Sequence, residues 1–223
     1  MKKKAGLFGF FILSIIALTA CHNDLDRSNE LQEMADYDNY YLYKGNKIPL
    51  QRMEGKFYVA FYPADETRFK EELAKAGGVL ENEVAWKDNS FYSSSTDMTG
   101  FGAQKFTNFI TAIVNGSYEQ CATALSVALY WGPFYRTENE DEIGVTEMFT
   151  VILKPGTNLA QLEKLSKKNA VEMTGRDTID SNWYHLACTH LSKGNALEMA
   201  NLFYTSGLFE DAFPSMIMNI VFD

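Results

Sequence analysis

The feature that most constrains the fold is an internal duplication of the sequence. Phe57–Pro63 (Phe-Tyr-Val-Ala-Phe-Tyr-Pro) matches Phe149–Pro155 (Phe-Thr-Val-Ile-Leu-Lys-Pro) at a spacing of 92 residues. Each copy is an apolar run that ends at a proline, which is typical of a buried strand. A second match, Ala124-Leu125-x-x-Ala128 with Ala196-Leu197-x-x-Ala200, is spaced by 72 residues. We expect two related halves, the first longer by about twenty residues that we place in the Ser-, Thr- and Gly-rich loop Lys87–Lys105.

Each half contains two predicted helices, and four N-cap residues mark where they begin: Asp65 and Ser117 in the first half, Asn158 and Asn195 in the second. All but Asp65 are followed three residues later by the Gln or Glu of a capping box. Further strands are predicted by apolar patterns at Phe109–Val114, Trp183–His190 and Phe209–Ile217. Each half therefore has the order strand, helix, strand, strand, helix, strand.

That order closes most simply as an antiparallel sheet with both helices on one face. We predict an α+β fold of two tandem ferredoxin-like units, at residues 44–137 and 148–223, joined by an acidic linker at residues 138–147. Residues 21–43 are predicted to be a polar tether, which joins the fold near a cluster of tyrosines.

Alternation along the predicted strand at Trp183 divides its side chains between two faces. The face that we place under the helices carries Tyr184, Leu186 and Cys188, with Ile110, Ala112 and Val114 in the first half. The opposite face carries Trp183, His185 and Ala187, with Phe109, Thr111 and Ile113 in the first half. If this face is not covered, its Trp and Phe side chains make it a candidate protein-binding surface. Packing of the two halves against each other there is an equally weighted alternative.

The N-terminus has the pattern of a bacterial export signal. Three lysines at positions 2–4 precede an apolar run, Ala5–Ala20, which is short for a membrane-spanning helix. The run ends in Leu18-Thr19-Ala20-Cys21, which resembles the lipobox of bacterial lipoproteins. The resemblance implies cleavage after residue 20 and lipidation of Cys21, whose several acyl chains would give stable anchoring. His22 at the following position favours the outer membrane of the cell envelope.

Composition and charge limit the partners of the mature chain. The whole chain has a net charge of −9, and loss of the three signal lysines leaves −12. So acidic a body would be repelled by phosphate backbones, which argues against nucleic acid as a partner. Hydrophobic residues make up 46% of the chain, enough for a packed core. Cys121 and Cys188 lie in apolar segments, so two buried thiols are favoured over a disulfide.

The sequence contains no pattern typical of catalysis, a metal site or a cofactor. His185 and His190 would point to opposite faces of a strand and could not chelate one ion together. Asp177, Asp180 and Ser181 lie near His185, but no nucleophile-elbow pattern accompanies them. The acidic run Glu138–Glu142 lacks the spacing of a calcium loop. We therefore predict a protein that is not an enzyme and uses no cofactor.

A glycan site is a further hypothesis from the residues. Tyr130 and Trp131 lie in the aromatic run Tyr-Trp-Gly-Pro-Phe-Tyr, and such rings can stack on sugars. A lipoprotein adhesin or glycan-binding module is therefore the alternative to a protein-binding role, although aromatic residues at such a position are more often core.

The stretch Met148–Met218 resembles the propeptides that precede subtilisin-like serine protease domains in Bacteroidetes. The resemblance rests on Phe149-x-Val151-x-Leu153-Lys154-Pro155, Leu162-x-x-Leu165, Asn182-Trp183-Tyr184-x-Leu186 and, most specifically, the run from Asn195 to Glu210. Tyr40–Leu50 is similar to the start of the same regions. With the duplicated first half, the likeness extends over about residues 40–218.

The resemblance implies a ferredoxin-like fold that inhibits or chaperones a cognate protease. In that family the sheet face lies on the enzyme, and the segment after the last strand occupies the active-site cleft. The corresponding residues here are Trp183 and His185 on the sheet and Ile220, Val221, Phe222 and Asp223 in the tail. No subtilase signature occurs in this sequence, so a partner protease would be a separate chain. Phe213 and Ser215 stand where the family usually has acidic residues around the proline.

Overall fold

The computed structural model describes residues 39–85, 96–97 and 109–218. The predicted signal peptide, the lipobox with Cys21, most of the tether and the tail Ile220–Asp223 lie outside the described residues. Most of the Lys87–Lys105 loop also lies outside them. Within the described part of the chain, no helix has the length and apolar character needed to cross a membrane.

The described chain is an α+β fold with antiparallel strand pairing, as predicted. A hairpin of β1 (Tyr40–Tyr43) and β2 (Asn46–Pro49) comes first. The first half contains β3 (Gln51–Phe61), α1 (Glu66–Lys75), β4 (Val79–Ala85), β5 (Thr96–Asp97), β6 (Ile110–Asn115), α2 (Tyr118–Ala124) and β7 (Ala128–Arg136). The second half contains β8 (Glu142–Leu153), α3 (Leu159–Lys168), β9 (Glu172–Asp177), β10 (Trp183–Ala187), α4 (Ala196–Thr205) and β11 (Phe209–Met218).

Strands β3 to β11 form one sheet that runs through both halves. The order is β4-β6-β3-β7-β8-β10-β9-β5, and β11 pairs with β8. In each half the first long strand therefore lies between the third and the last, and the second lies outside the third. The short β5, which belongs to the first half in sequence, pairs with β9 of the second half through Thr96 and Asp177.

The two halves are joined by a strand pairing. Phe134, Tyr135 and Arg136 of β7 pair with Gly144, Ile143 and Glu142 of β8. Residues 142–147, predicted to belong to an acidic linker, are therefore part of β8, and the turn is confined to the residues before Glu142. Alternating hydrophobic residues in 142–147 suffice for a strand even though glutamates begin and end the segment.

Two of the predicted capping boxes are confirmed, at the starts of α3 and α4. The Asn158 side chain accepts from Gln161 N, the Gln161 side chain accepts from Asn158 N, and Asn195 is reciprocally bonded in the same way. At α2 only half of the motif forms, since Ser117 Oγ accepts from Gln120 N at 3.4 Å. Asp65 makes no side-chain cap, because residues Pro63–Asp65 form a 3₁₀ turn before α1.

The caps also correct the alignment of the two halves. Ala124 is the last residue of α2, whereas Ala196 is the first residue of α4, so the matching Ala-Leu-x-x-Ala segments are not structurally equivalent. The equivalent positions are the N-caps Ser117 and Asn195, which are 78 residues apart. The first half is therefore longer by 14 residues before its second helix, and not by about twenty.

The predicted buried face of the first half is confirmed. Ile110, Ala112 and Val114 pack with alternate residues of β3 and with residues of both helices, among them Phe69, Leu73 and Cys121. In the second half, Phe203 of α4 packs edge-to-face on Phe149 of β8, with ring centroids 5.1 Å apart, and stacks on Phe209 of β11. Tyr184 and Leu186 are buried and pair with Val151 and Phe149 on that same face.

Strand β10 ends earlier than the sequence predicted, at Ala187 instead of His190. Thr189 to Ser192 form a turn closed by Ser192 N donating to Thr189 O at 3.0 Å. Thr189 N donates to Ser192 Oγ, so the side-chain hydroxyl offers the backbone an alternative to the sheet ladder.

The N-terminal hairpin packs on the second half. Lys44 and Gly45 both have positive φ, 49° and 79°, as a type I′ turn requires. The buried Asn201 of α4 donates from Nδ2 to Tyr40 O at 2.7 Å. Tyr40–Tyr43, which the sequence analysis placed at the end of the tether, is thus a strand held against α4.

Candidate functional site

One face of the second-half sheet carries aromatic side chains and lies opposite α4. Trp183 pairs with Ile152, and Phe213 pairs with Thr150 on the same face. The rings of Trp183 and Phe213 meet edge-to-face with centroids 5.9 Å apart. Trp183, Phe213 and Ile152 are partly exposed. We call these three residues the aromatic face.

His185 lies beside the aromatic face and interacts with two polar side chains. Its Nδ1 is 3.0 Å from Thr150 Oγ1, and its Nε2 is 3.8 Å from Asp177 Oδ2, which is beyond hydrogen-bonding distance. Burial lowers the pKa of His185, while the nearby Asp177 carboxylate opposes this shift. Asp180 N and Ile179 N both donate to Asp177 Oδ1, and the pKa of Asp177 is lowered chiefly by the Asp180 bond.

Thr150, His185 and Asp177 follow the order of nucleophile, base and acid in a catalytic triad, but they share only that order with one. Thr150 is 6% exposed, so its hydroxyl is closed to a substrate. Ser181 is exposed at the β9–β10 turn, where its carbonyl oxygen accepts from Arg176 Nε at 2.6 Å. The described residues contain no group of three or more His, Cys, Asp or Glu placed to hold a metal ion.

In the first half, the sheet face on the side away from α1 and α2 contacts the second half. Tyr58 and Tyr130 point away from α1 and α2 and contact the second half. Tyr58 Oη donates to the buried Glu147 at 2.8 Å, and Tyr130 Oη accepts from Ala196 N at 3.3 Å. Phe109 and Ile113 are buried, at 5% and 8% exposure. The aromatic residues of the two halves therefore do not combine into one open surface.

Tyr130 and Trp131, the predicted glycan-stacking pair, lie in different surroundings. Tyr130 is 2% exposed, and burial raises its pKa well above the ordinary value, so its ring is part of the core. Trp131 is partly exposed, and one side of it packs on the core of the first half. Trp131 therefore has more surface available to a ligand than Tyr130.

Trp131 lines a cleft of about 170 Å³ between the two halves. The first half contributes Arg52 and Tyr118, whose ring lies 5.1 Å from the Arg52 guanidinium carbon. The second half contributes the turn at His190 and the start of α4 at Asn195 and Glu198. This cleft is not evident from the sequence, because the strand predicted to continue to His190 leaves no place for the turn that forms its wall.

A second, larger cleft of about 460 Å³ surrounds a buried lysine. Lys56 Nζ makes ion pairs with Glu142 at 2.9 Å and Glu81 at 3.1 Å, and its side chain is 9% exposed. Burial by itself would lower the pKa of Lys56, but hydrogen bonds to Glu142 and Glu81 together raise it. An irregularity in β3 between Met53 and Phe57 opens the sheet here. The three charges come from β3, β4 and β8, so they connect the two halves.

Both cysteines of the folded body are free and buried, as predicted. Burial raises the pKa of Cys121, and it raises that of Cys188 well above the ordinary value. Neither thiol is therefore suited to act as a nucleophile.

Comparison with protein-family models and with curated proteins gives no match. Among solved structures, the chain is similar to the small subunit of acetolactate synthase from Thermotoga maritima, with 9% identity and a TM-score of 0.25, over 76% of this chain and 99% of that one. It is also similar to a putative glycine cleavage system transcriptional repressor, with 13% identity and a TM-score of 0.22 over the same shares of the chains.

Proposed function

We propose that this chain is a non-enzymatic binding protein of the cell envelope, anchored to the outer membrane through lipid on Cys21. Its body consists of two ferredoxin-like units that act in trans on a subtilisin-like protease, as propeptide-like inhibitor or chaperone. Membrane attachment is through the lipid alone, and nucleic acid is not a partner.

The strand order supports two ferredoxin-like units. Within each half, the second strand lies outside the third, the third beside the first, and the first beside the last. This shared order supports one β-α-β-β-α-β topology for both halves. The pairing of β7 with β8 puts the two proposed units in one sheet.

The aromatic face is the observation that carries the protein-binding proposal. Trp183 and Phe213 are held edge-to-face on the side of the sheet opposite α4. The subtilase propeptides that this chain resembles contact their enzyme through the same side of the sheet. Phe213 replaces an acidic residue of that family, so contact here would be apolar instead of charged. Partly exposed aromatic rings are the side chains that contribute most to protein interfaces.

An inhibition assay tests the proposal. The mature chain, made without lipid through Cys21→Ser, is titrated against surface subtilisin-like proteases from the same organism. We expect saturable inhibition that weakens about tenfold or more in Trp183→Ala with Phe213→Ala, while the Trp131→Ala control retains it. Deletion of residues 219–223 tests the tail separately. Absence of inhibition, or equal inhibition by all variants, would contradict the proposed contact.

The glycan-binding alternative is favoured by one specific observation. Trp131 lines the cleft between the halves together with polar side chains of the second half. That cleft is independent of the aromatic face.

A further inference from the structure

We propose that the cleft between the two halves binds a single neutral sugar ring, stacked on Trp131. This site is separate from the aromatic face. It also extends the site that the sequence suggested, because the second half lines the cleft together with Trp131 and the buried Tyr130.

The indole of Trp131 provides a fixed apolar wall. It is partly exposed on the cleft side and packs on the core cluster of the first half on the other. A ring held in this way loses little conformational entropy when a ligand covers it. The apolar C–H face of a sugar is the complement of such a surface, since it buries carbon without leaving a polar group unpaired.

The opposite wall is rigid because its backbone is tied down at several points. His190 N donates to Leu129 O of β7 at 2.9 Å. Ser192 Oγ donates to Ala170 O at 2.7 Å and accepts from Thr189 N. The turn therefore holds the cleft open at a fixed distance from β7.

Hydrogen-bonding groups on both walls of the cleft are available to hydroxyls. The exposed His190 ring, Trp131 Nε1 and Asn195 Nδ2 have no hydrogen-bond partner among the described residues. Together they offer donors and an acceptor at the edge of an aromatic ring. That combination suits a polyhydroxylated ring.

Charge and size restrict the ligand further. Arg52 and Glu198 bring one charge of each sign, so the cleft has no excess charge to attract a phosphate or a sulfate. The start of α4 is not an anion site either, because Ala196 N, Leu197 N and Glu198 N already donate to side-chain oxygens. The volume of about 170 Å³ is well below the roughly 300 Å³ at which drug-sized sites begin. A single ring therefore fits better than an oligosaccharide.

The test is a titration of the mature chain with methyl glycosides of glucose, galactose, mannose and N-acetylglucosamine, followed by saturation-transfer NMR and tryptophan fluorescence. We expect saturable binding of at least one probe and a loss of affinity of about tenfold or more in Trp131→Ala. The control Trp183→Ala removes the matched tryptophan of the other face and should bind unchanged.

Because Trp131 also packs on the core, His190→Ala provides a second variant at an exposed position. It should fold normally and weaken binding about threefold to tenfold, the effect of one lost hydrogen bond. Absence of saturable binding for all four probes overturns the proposal, as does an equal loss in Trp183→Ala. No protease takes part in this titration, so its outcome is independent of the inhibition assay.

Discussion

Replacement of Lys56 by methionine tests whether the buried ion cluster holds the two halves together. Methionine keeps most of the aliphatic stem, but it removes the ammonium group that bonds Glu142 at 2.9 Å and Glu81 at 3.1 Å. Each charged hydrogen bond contributes about 1.5–3 kcal/mol. The two carboxylates are 29% and 33% exposed and can regain water, so we expect a net loss of about 3 kcal/mol in the free energy of unfolding.

Urea unfolding followed by circular dichroism measures this loss, and a thermal scan should show a decrease of about 6–12 °C in the melting temperature. Lys70→Met is the matched control, because Lys70 pairs with Glu66 on the exposed side of α1 at 2.6 Å. A surface pair of this kind contributes about 0.5 kcal/mol or less. Glu142→Gln should cost at least about 1 kcal/mol less in the Lys56→Met background than in the wild type. Additive losses, or a Lys56→Met loss as small as the control's, would refute the reasoning.

The same cluster predicts a pH dependence at the alkaline end. The pKa of Lys56 is raised in the folded state above its ordinary value of 10.5. Its contribution to stability is therefore complete below pH 10.5 and is lost as the pH rises through the folded-state pKa. In Lys56→Met, unfolding free energies measured above and below that pH should differ less than in the wild type.

Three further predictions use single side chains. Gly132→Ala should destabilise by about 3 kcal/mol or more, because a Cβ at Gly132 would lie 2.0 Å from the Val145 carbonyl oxygen; Gly55→Ala, with open space around it, is the control in the same unfolding assay. His185 has a lowered pKa, so stability should fall as the pH drops below 6.5, and His185→Gln should flatten that slope; an unchanged slope would exclude His185 as its source. Cys21→Ser should abolish incorporation of labelled palmitate and release the chain from membranes, and labelling of this variant at the wild-type level would refute the lipobox assignment.

Local patterns predicted those parts of the fold whose causes are local. A proline ends the strand copies at Pro63 and Pro155, and Asn158 and Asn195 begin helices through bonds within one turn. Alternation also placed Ile110, Ala112 and Val114 correctly under the helices, since a strand's period of two is fixed by its own backbone. These features depend on residues a few positions apart, which a sequence displays directly.

The parts that the sequence did not predict depend on contacts between distant segments. Lys56 meets Glu81 and Glu142, which are 25 and 86 residues away, and nothing in the sequence around it indicates those partners. The pairing of Thr96 with Asp177 likewise joins a two-residue strand to the other half. The cleft at Trp131 forms only because the turn after β10 reaches β7. Tyr130 and Trp131, the two aromatic residues named from the sequence, both border this cleft, but adjacent residues in a strand point to opposite faces and Tyr130 is buried.

The position of the N-terminal hairpin determines which face of the second-half sheet stays uncovered by it. Asn201 Nδ2 donates to the Tyr40 carbonyl oxygen and holds β1 against α4. Gly45 lies close to the Tyr204 hydroxyl, where an added Cβ would come within 3.1 Å, so the hairpin turn also lies against α4. Since α4 and the aromatic face lie on opposite sides of β8, the hairpin lies on the side of the sheet away from Trp183 and Phe213. A partner could therefore cover the aromatic face without displacing the hairpin, as the proposed role of an anchored binding protein requires.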